Sequence, residues 1–64
     1  MGKFRRGGYV FLCWVGDHSP RHVHVYRDGR QVVKWDLDHD VAMVGVATRR
    51  VLELIRELQA EGLL

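Results

Sequence analysis

Two alternating segments that flank Asp28-Gly29 constrain the fold of this chain more than any other feature. His22–Tyr26 alternates polar and apolar residues, and Arg30–Leu37 carries Val33 and Trp35 two positions apart. Alternation with a period of two is typical of half-buried strands, and an Asp-Gly pair between such strands is typical of a hairpin turn. The sequence therefore predicts a β-hairpin in this part of the chain.

The length of the hairpin loop decides which side chains share a face of the sheet. A two-residue loop, Asp28-Gly29, would put the histidines on the same face as Trp35. A three-residue loop, Arg27-Asp28-Gly29 with Gly29 in the left-handed conformation, shifts the pairing by one residue and separates them, so we predict the longer loop. The core face then holds Val23, Val25, Val33, Trp35 and Leu37. The opposite face holds His22, His24, Tyr26, Lys34 and Asp36.

Polar residues at the start of the second strand form the candidate functional site. His22 and His24 point to the same face of a strand, about 7 Å apart, so they can share a metal ion, a phosphate or a proton. Pro20 restricts the backbone to a turn that brings Asp17 and His18 beside them. A structural alternative stays open, in which Asp17 only closes the turn and the histidines only form the polar face of an exposed strand.

The rest of the chain predicts one more strand and one helix. Tyr9–Val15 is a run of seven apolar residues, rich in aromatic and β-branched types, as in a strand that is covered on both faces. Val41–Val46 is either a short extended piece or the approach to the helix. Apolar residues then recur at helical spacing, with Thr48 or Gly45 as the N-cap and Gly62 as the end. The predicted fold is α+β: a three-stranded antiparallel meander with one C-terminal helix on the core face.

Length and composition indicate a single domain over residues 1–64. The composition is globular, with 47% apolar and 28% charged residues, and no run of about 18 apolar residues predicts a membrane span. Residues 1–8 are predicted to be a basic, frayed leader. A lone Cys13 in an apolar strand indicates a buried thiol in a reducing compartment, so we expect a cytoplasmic protein. Because Tyr9–Val15 is apolar on both faces and one helix covers only one of them, we also expect a homodimer or a complex with a cognate protein.

The charges are distributed unevenly along the chain. Residues 1–34 contain seven Lys or Arg and two Asp, a balance of +5, whereas residues 35–64 contain three Arg and six acidic residues, a balance of −3. A basic half suits an anionic partner such as RNA, although ordinary solubilising charge is the alternative. The predicted nucleic-acid-binding residues are Arg21, Arg27, Arg30 and Lys34.

The motif Asp17-His18-x-Pro20-x-His22-x-His24-Val25 resembles the signature of a family of small prokaryotic proteins catalogued as a domain of unknown function, DUF4160. The likeness runs from Tyr9 to the end of the chain, although many members have a second proline where this chain has Arg21. It continues in Val25-Tyr26-Arg27-Asp28-Gly29, Lys34-Trp35-Asp36-Leu37, Gly45 and Arg49-Arg50-Val51-Leu52. The resemblance supplies no activity. It implies one half of a two-gene cassette of the toxin–antitoxin kind, with a cognate toxin or antitoxin protein as partner.

Three functions from different classes follow, and the sequence leaves open whether the protein is an enzyme. The first is a toxin–antitoxin component that binds or cleaves RNA without a cofactor. A metal-independent ribonuclease needs a base, an acid and cations, and the candidates are His22, His24, Arg21 and Lys34. The second is a metal-binding module for zinc or another divalent transition metal. Its candidate ligands are His18, His22, His24 and Asp17. The third is a protein-interaction module in which the motif is structural.

Overall fold

The structure, a computed structural model, describes residues 2–13 and 21–64. These residues form five strands and one C-terminal helix, so the α+β class is confirmed and the predicted number of strands is wrong. In chain order the elements are β1 (Gly2–Arg6), β2 (Tyr9–Cys13), β3 (His22–Arg27), β4 (Arg30–Asp36), β5 (Val41–Gly45) and α1 (Arg49–Ala60).

The sheet is an antiparallel meander in which every strand pairs with its neighbours in the sequence, in the order β1-β2-β3-β4-β5. The predicted first strand corresponds to β2, which ends at Cys13; Trp14 and Val15 lie outside the described residues. Cys13 is half-buried rather than buried. The histidine strand β3 therefore lies at the centre of the sheet, with two strands on each side.

The two strands that the sequence did not predict occupy the two edges. Gly2–Arg6, expected to be a leader, pairs with β2 through a Gly7-Gly8 turn that places Arg6 opposite Tyr9. Both glycines have positive φ, 59° and 82°, as a two-residue hairpin turn of this kind requires. At the other edge, Val41–Gly45 is the extended piece that the sequence left as one of two alternatives.

The loop between β3 and β4 is one residue shorter than predicted, but the side chains lie on the predicted faces. Arg27 pairs with Arg30, so the loop is the two-residue Asp28-Gly29, with φ of 52° and 77°. The register then shifts after Tyr26, because Val32 is an extra residue on β4. This β-bulge shifts the pairing by one residue, which is the shift that the predicted longer loop would have produced. Beyond the bulge, Val25 pairs with Val33, Val23 with Trp35 and His24 with Lys34, which separates the apolar row from the histidines as expected.

The helix α1 covers the apolar face of the sheet. Thr48 is the N-cap, and its Oγ1 accepts a hydrogen bond of 3.2 Å from the Val51 backbone N–H. Gly62, just beyond the helix end, has φ of 77°. The core is a single cluster from both layers: Tyr9, Phe11, Val23, Val25, Val33, Trp35, Val51, Leu54, Ile55 and Leu58.

The first strand and the end of the helix are joined by an ion pair. The Arg6 guanidinium donates to both carboxylate oxygens of Glu61, one of them at 2.8 Å, and it lies 3.6 Å from Glu57. The hydrogen bond from Arg6 lowers the pKa of the Glu61 carboxyl against the opposing effect of burial. Because these groups are partly exposed, the pair orients β1 against α1 more than it stabilises the fold. Within residues 2–13 and 21–64, no helix has the length and apolar character needed to cross a membrane.

Candidate functional site

The face of the sheet opposite α1 carries the predicted site and is here called the histidine face. Side chains alternate between the two faces of a strand, so the pairing of the strands decides which residues share this face. The residues of the histidine face named below are all half-buried or exposed, in contrast to the core residues that alternate with them. The histidine face consists of Lys3, Arg5, Val10, Leu12, His22, His24, Tyr26, Gln31 and Lys34, with Val44 and Val41 of β5 at its border, opposite Lys34 and Asp36.

A single cross-strand row contains the site's central imidazole and two cations. Lys3 pairs with Leu12, Leu12 with His24, and His24 with Lys34. Residues directly opposite each other on one face have Cβ atoms about 5 Å apart, so the Lys34 ammonium can reach the His24 ring and Lys3 lies two strands away. The row places a cation on either side of the central strand.

A neighbouring row provides an aromatic ring and a further cation. Arg5 pairs with Val10, Val10 with Tyr26, and Tyr26 with Gln31. Tyr26 is half-buried, so part of its surface remains accessible to solvent. An aromatic ring with a cation in the same row is the arrangement that proteins use to stack a nucleobase beside its phosphate.

The two histidines of β3 form a contacting pair. The ring centroids of His22 and His24 are 5.1 Å apart and the rings meet edge to face, at 77°. The Nδ1 atom of His24 lies 2.7 Å from Oε1 of Gln31. Because a carbonyl oxygen only accepts, Nδ1 carries the proton in the neutral ring, and Nε2 is the nitrogen with the lone pair. This is the nitrogen of His24 that can accept a proton or bind a metal ion.

Asp36, which the sequence places on this face, has a structural role in the turn before β5. Its side chain is buried, and its Oδ1 accepts hydrogen bonds from the backbone N–H groups of Asp38 and His39, both at 2.9 Å. Its Oδ2 lies 2.8 Å from Nδ1 of His39. Burial acts to raise the pKa of the Asp36 carboxyl, but the hydrogen bonds from His39 and Asp38 outweigh it and lower that pKa. His39 itself is largely exposed, as expected of a turn residue.

The predicted basic residues are not gathered in one place. Lys34 lies on the histidine face beside His24. Arg27 lies on the opposite side, where its guanidinium stacks 5.3 Å from the Tyr9 ring centroid and donates to the Tyr9 hydroxyl at 3.3 Å. Arg30 is its exposed neighbour across the turn. Of the predicted nucleic-acid-binding residues, Arg27 and Arg30 thus lie on the side of the hairpin opposite to the histidines.

Arg21 lies immediately before β3, and its backbone is tied to the far end of the hairpin. Its N–H donates to Oδ2 of Asp38 at 2.8 Å, and its carbonyl accepts from the Leu37 N–H at 2.8 Å. These bonds hold the chain where it enters the histidine strand. Arg21 directly precedes His22 in the chain, and its side chain is exposed.

Three residues of the histidine face were missed by sequence reasoning. Lys3 and Arg5 were assigned to a leader, yet they alternate with Phe4 ahead of a Gly-Gly turn, which is a strand signal. Gln31 was not considered because its role depends on a diagonal contact to His24 across the bulge. That contact cannot be read from an alternating pattern.

The metal-binding alternative rests in part on residues outside the described region. Asp17 and His18 both lie there, so their positions relative to His22 and His24 are not described. Within residues 2–13 and 21–64, no group of three or more His, Cys, Asp or Glu side chains is placed to hold a metal ion. The histidine pair alone supplies two ligands, and a protein zinc site uses three or four.

Comparison with known protein families identifies the chain. The model of a family described as Domain of unknown function (DUF4160) matches residues 8–62, which is most of the chain. The chain therefore belongs to the DUF4160 family. Among curated proteins and among solved structures, nothing matches the chain.

Proposed function

We propose that this DUF4160 protein binds single-stranded RNA on its histidine face. The observation that carries the proposal is the row in which Lys3 and Lys34 lie on either side of His24. Phosphate groups supply most of the affinity of such complexes, and cations spaced along a surface follow the backbone of the strand.

The aromatic groups of the face favour a single strand over a duplex. Tyr26, His22 and His24 project from the central strand, where unpaired bases can stack on their rings. In a duplex the bases are already stacked on one another and their faces are inaccessible. A sheet that presents aromatic rings between cations is also the surface with which common RNA-binding modules bind unpaired bases.

The distribution of charge between the two layers supports the same orientation. Lys3, Arg5 and Lys34 lie on the histidine face, whereas the three arginines of α1 are balanced by Glu53, Glu57 and Glu61. An anionic strand is therefore attracted to the histidine face more than to the helix layer. We further propose, from the family resemblance alone, that the protein is a component of a toxin–antitoxin cassette whose partner is the cognate protein.

Salt-dependent binding of a labelled oligouridine, measured by fluorescence anisotropy, tests the proposal. For a single strand, each phosphate contact contributes about 0.7 to the slope of log K against log salt concentration. Lys3→Ala and Lys34→Ala should each lower the slope by about this amount. Arg56→Ala, which removes the same charge from the exposed side of the helix, is the matched control and should leave the slope unchanged. Absence of binding at low salt, or an equal effect of Arg56→Ala, would contradict the proposal.

Cleavage of the bound strand is the second candidate, favoured by the contact between the two imidazoles. In metal-independent cleavage a base takes the proton of the 2′-hydroxyl, the 2′-oxygen attacks phosphorus, and an acid gives a proton to the departing 5′-oxygen. Nε2 of His24 is available as the base, and a protonated His22 would be the acid. The neighbouring Lys34 would stabilise the added negative charge on the phosphate.

A double variant, His22→Ala with His24→Ala, separates cleavage from binding and from a structural role. Both side chains project from the face opposite the core and are only half-buried, so we expect the free energy of unfolding to fall by no more than about 1 kcal/mol if their role is functional. If the protein cleaves RNA, the variant should lose a 2′,3′-cyclic phosphate product while it retains most of its salt-dependent affinity. A large fall in the melting temperature would instead indicate that the histidines are structural.

A further inference from the structure

Exposed apolar side chains are concentrated on the edge strand β5. In the described part of the chain, four of the five large exposed hydrophobic residues lie between positions 41 and 46, and the fifth is Leu63. The four are between 41% and 75% exposed. We call this set the β5 strip: Val41, Met43, Val44 and Val46.

The two edges of the sheet differ in the way that they meet solvent. The β1 edge carries Lys3, Arg5 and Arg6, and charged residues are a common means of preventing contact between sheet edges. The β5 edge has no charged residue from Val41 to Val46. A bulge at Met43 is its only irregularity of pairing with β4 among the described residues. The large apolar side chains of this edge are exposed. The exposed apolar side chains thus lie on β5 and not on β2, whose Val10 and Leu12 are half-buried.

The charges at the two ends of the β5 strip are of opposite sign. Asp38 and Asp40 precede it and are exposed, and Arg49 follows it at the start of α1, also exposed. When a strip of this kind meets its own copy about a two-fold axis, the acidic end of each meets the basic end of the other. Such a self-complementary pattern is what an isologous contact requires.

We propose that two copies of this chain associate through the β5 strip, about a two-fold axis that passes beside Met43. The apolar side chains of one copy pack on those of the other, with Asp38 and Asp40 facing Arg49 at both ends. The strip is about 17 Å long, at about 3.3 Å per residue, so the contact is small and the dimer is reversible at micromolar concentration. The proposal does not rest on RNA binding, because it is argued from the exposed apolar residues of β5 and the charges at its two ends; Val44 does, however, lie opposite Lys34 at the border of the histidine face.

Sedimentation velocity of the full chain over a range of concentrations tests the association. The wild-type protein should shift from monomer to dimer, and Val46→Lys should raise the dissociation constant by about tenfold or more. Val46 is 75% exposed and lies beyond the strand, so the variant should fold. Leu63→Lys makes the same change at the exposed apolar residue outside the strip and should leave the dissociation constant unchanged. A wild-type monomer at every concentration, or a dimer that Leu63→Lys disrupts and Val46→Lys does not, would overturn the proposal.

Cross-linking tests the position of the axis. In a Cys13→Ser background, Met43→Cys brings two thiols together across the axis, at the 4.5–5.5 Å Cα separation typical of paired antiparallel strands, which suits a disulfide. Mild oxidation should give a covalent dimer from this variant and none from a Lys3→Cys control on the opposite edge. Arg49→Glu should reduce the yield of the Met43→Cys dimer, because it sets like charges against each other, while a glutamate in the first helical turn is favourable for folding. Equal yields from Met43→Cys and Lys3→Cys would reject the β5 contact.

Discussion

Gly45→Ala should be among the most destabilising glycine-to-alanine substitutions at the described glycines. Gly45 pairs with Val33 at the end of β5 and has φ of 79°. A Cβ atom at this position would overlap the carbonyl oxygen of Val32 and would lie 3.2 Å from the Cα of Val33. The overlapped oxygen also accepts the hydrogen bond from the Val46 N–H. The obstruction is backbone, which cannot rotate away as a side chain can.

The expected magnitude has two parts. The left-handed conformation costs an alanine about 1–2 kcal/mol relative to glycine. Forcing a methyl group against a packed backbone costs about 1–3 kcal/mol more. Gly29→Ala isolates the first part, because Gly29 has nearly the same φ, 77°, and nothing lies within 4 Å of its would-be Cβ. We therefore expect Gly45→Ala to lower the free energy of unfolding by about 2–5 kcal/mol and Gly29→Ala by about 1–2 kcal/mol.

Urea unfolding followed by circular dichroism measures both variants under the same conditions. For a domain of this size, 1 kcal/mol corresponds to about 4–8 °C in melting temperature, so the difference between the two should also be plain in a thermal scan. Equal destabilisation of the two variants would show that the Val32 carbonyl does not obstruct the methyl group. The close approach of β5 to the bulge in β4 would then be refuted.

Two further predictions concern the turn before β5 and the helix start. Asp36→Asn should remove an acid-dependent part of the stability: hydrogen bonds lower the pKa of Asp36 in the folded state, so its contribution is complete above the ordinary value of 3.8 and is lost as the pH falls through the lowered value. Melting temperatures of both proteins from neutral to acidic pH should therefore converge on the acidic side, and parallel curves would contradict the assignment. Thr48→Ala should cost about 1 kcal/mol in urea unfolding because the Val51 N–H loses its acceptor, and Thr48→Ser should restore most of it.

The faces of the central hairpin could be predicted from the sequence even though its turn could not. Val23, Val25, Val33 and Trp35 are all apolar, and the free energy gained by burying them on one face outweighs the conformational preference of the loop. The preference of Asp28-Gly29 for a two-residue turn is equally strong. The register set by that turn differs by one residue from the register that buries both apolar rows. The chain satisfies both by inserting Val32 as a bulge, a solution that no local pattern indicates.

The edge strands were less predictable because each lacks part of the usual signal. β1 holds one large apolar residue, Phe4, among charged and small ones, so its strand signal is weak. Packing of Phe4 on the core and pairing with β2 make it part of the sheet. β5 is apolar but entirely exposed, so it has no alternation to read. Of the candidate site, the His22, His24 and Lys34 cluster was predictable from alternation. The contribution of Lys3 and Arg5 was not, because it depends on β1.

The C-terminal position of the helix has a consequence for the synthesis of this protein. Each hairpin joins neighbours in the sequence and can form as soon as its second strand has left the ribosome. The helix-facing side of the sheet, however, is covered among the described residues mainly by Val51, Leu54, Ile55 and Leu58, which are made after all five strands. Until then the nascent chain presents an open apolar surface that invites chaperones, proteases or other unfinished chains. A translational pause placed between β5 and α1 would therefore be expected to lower the yield of protein far more than a pause placed beyond the helix.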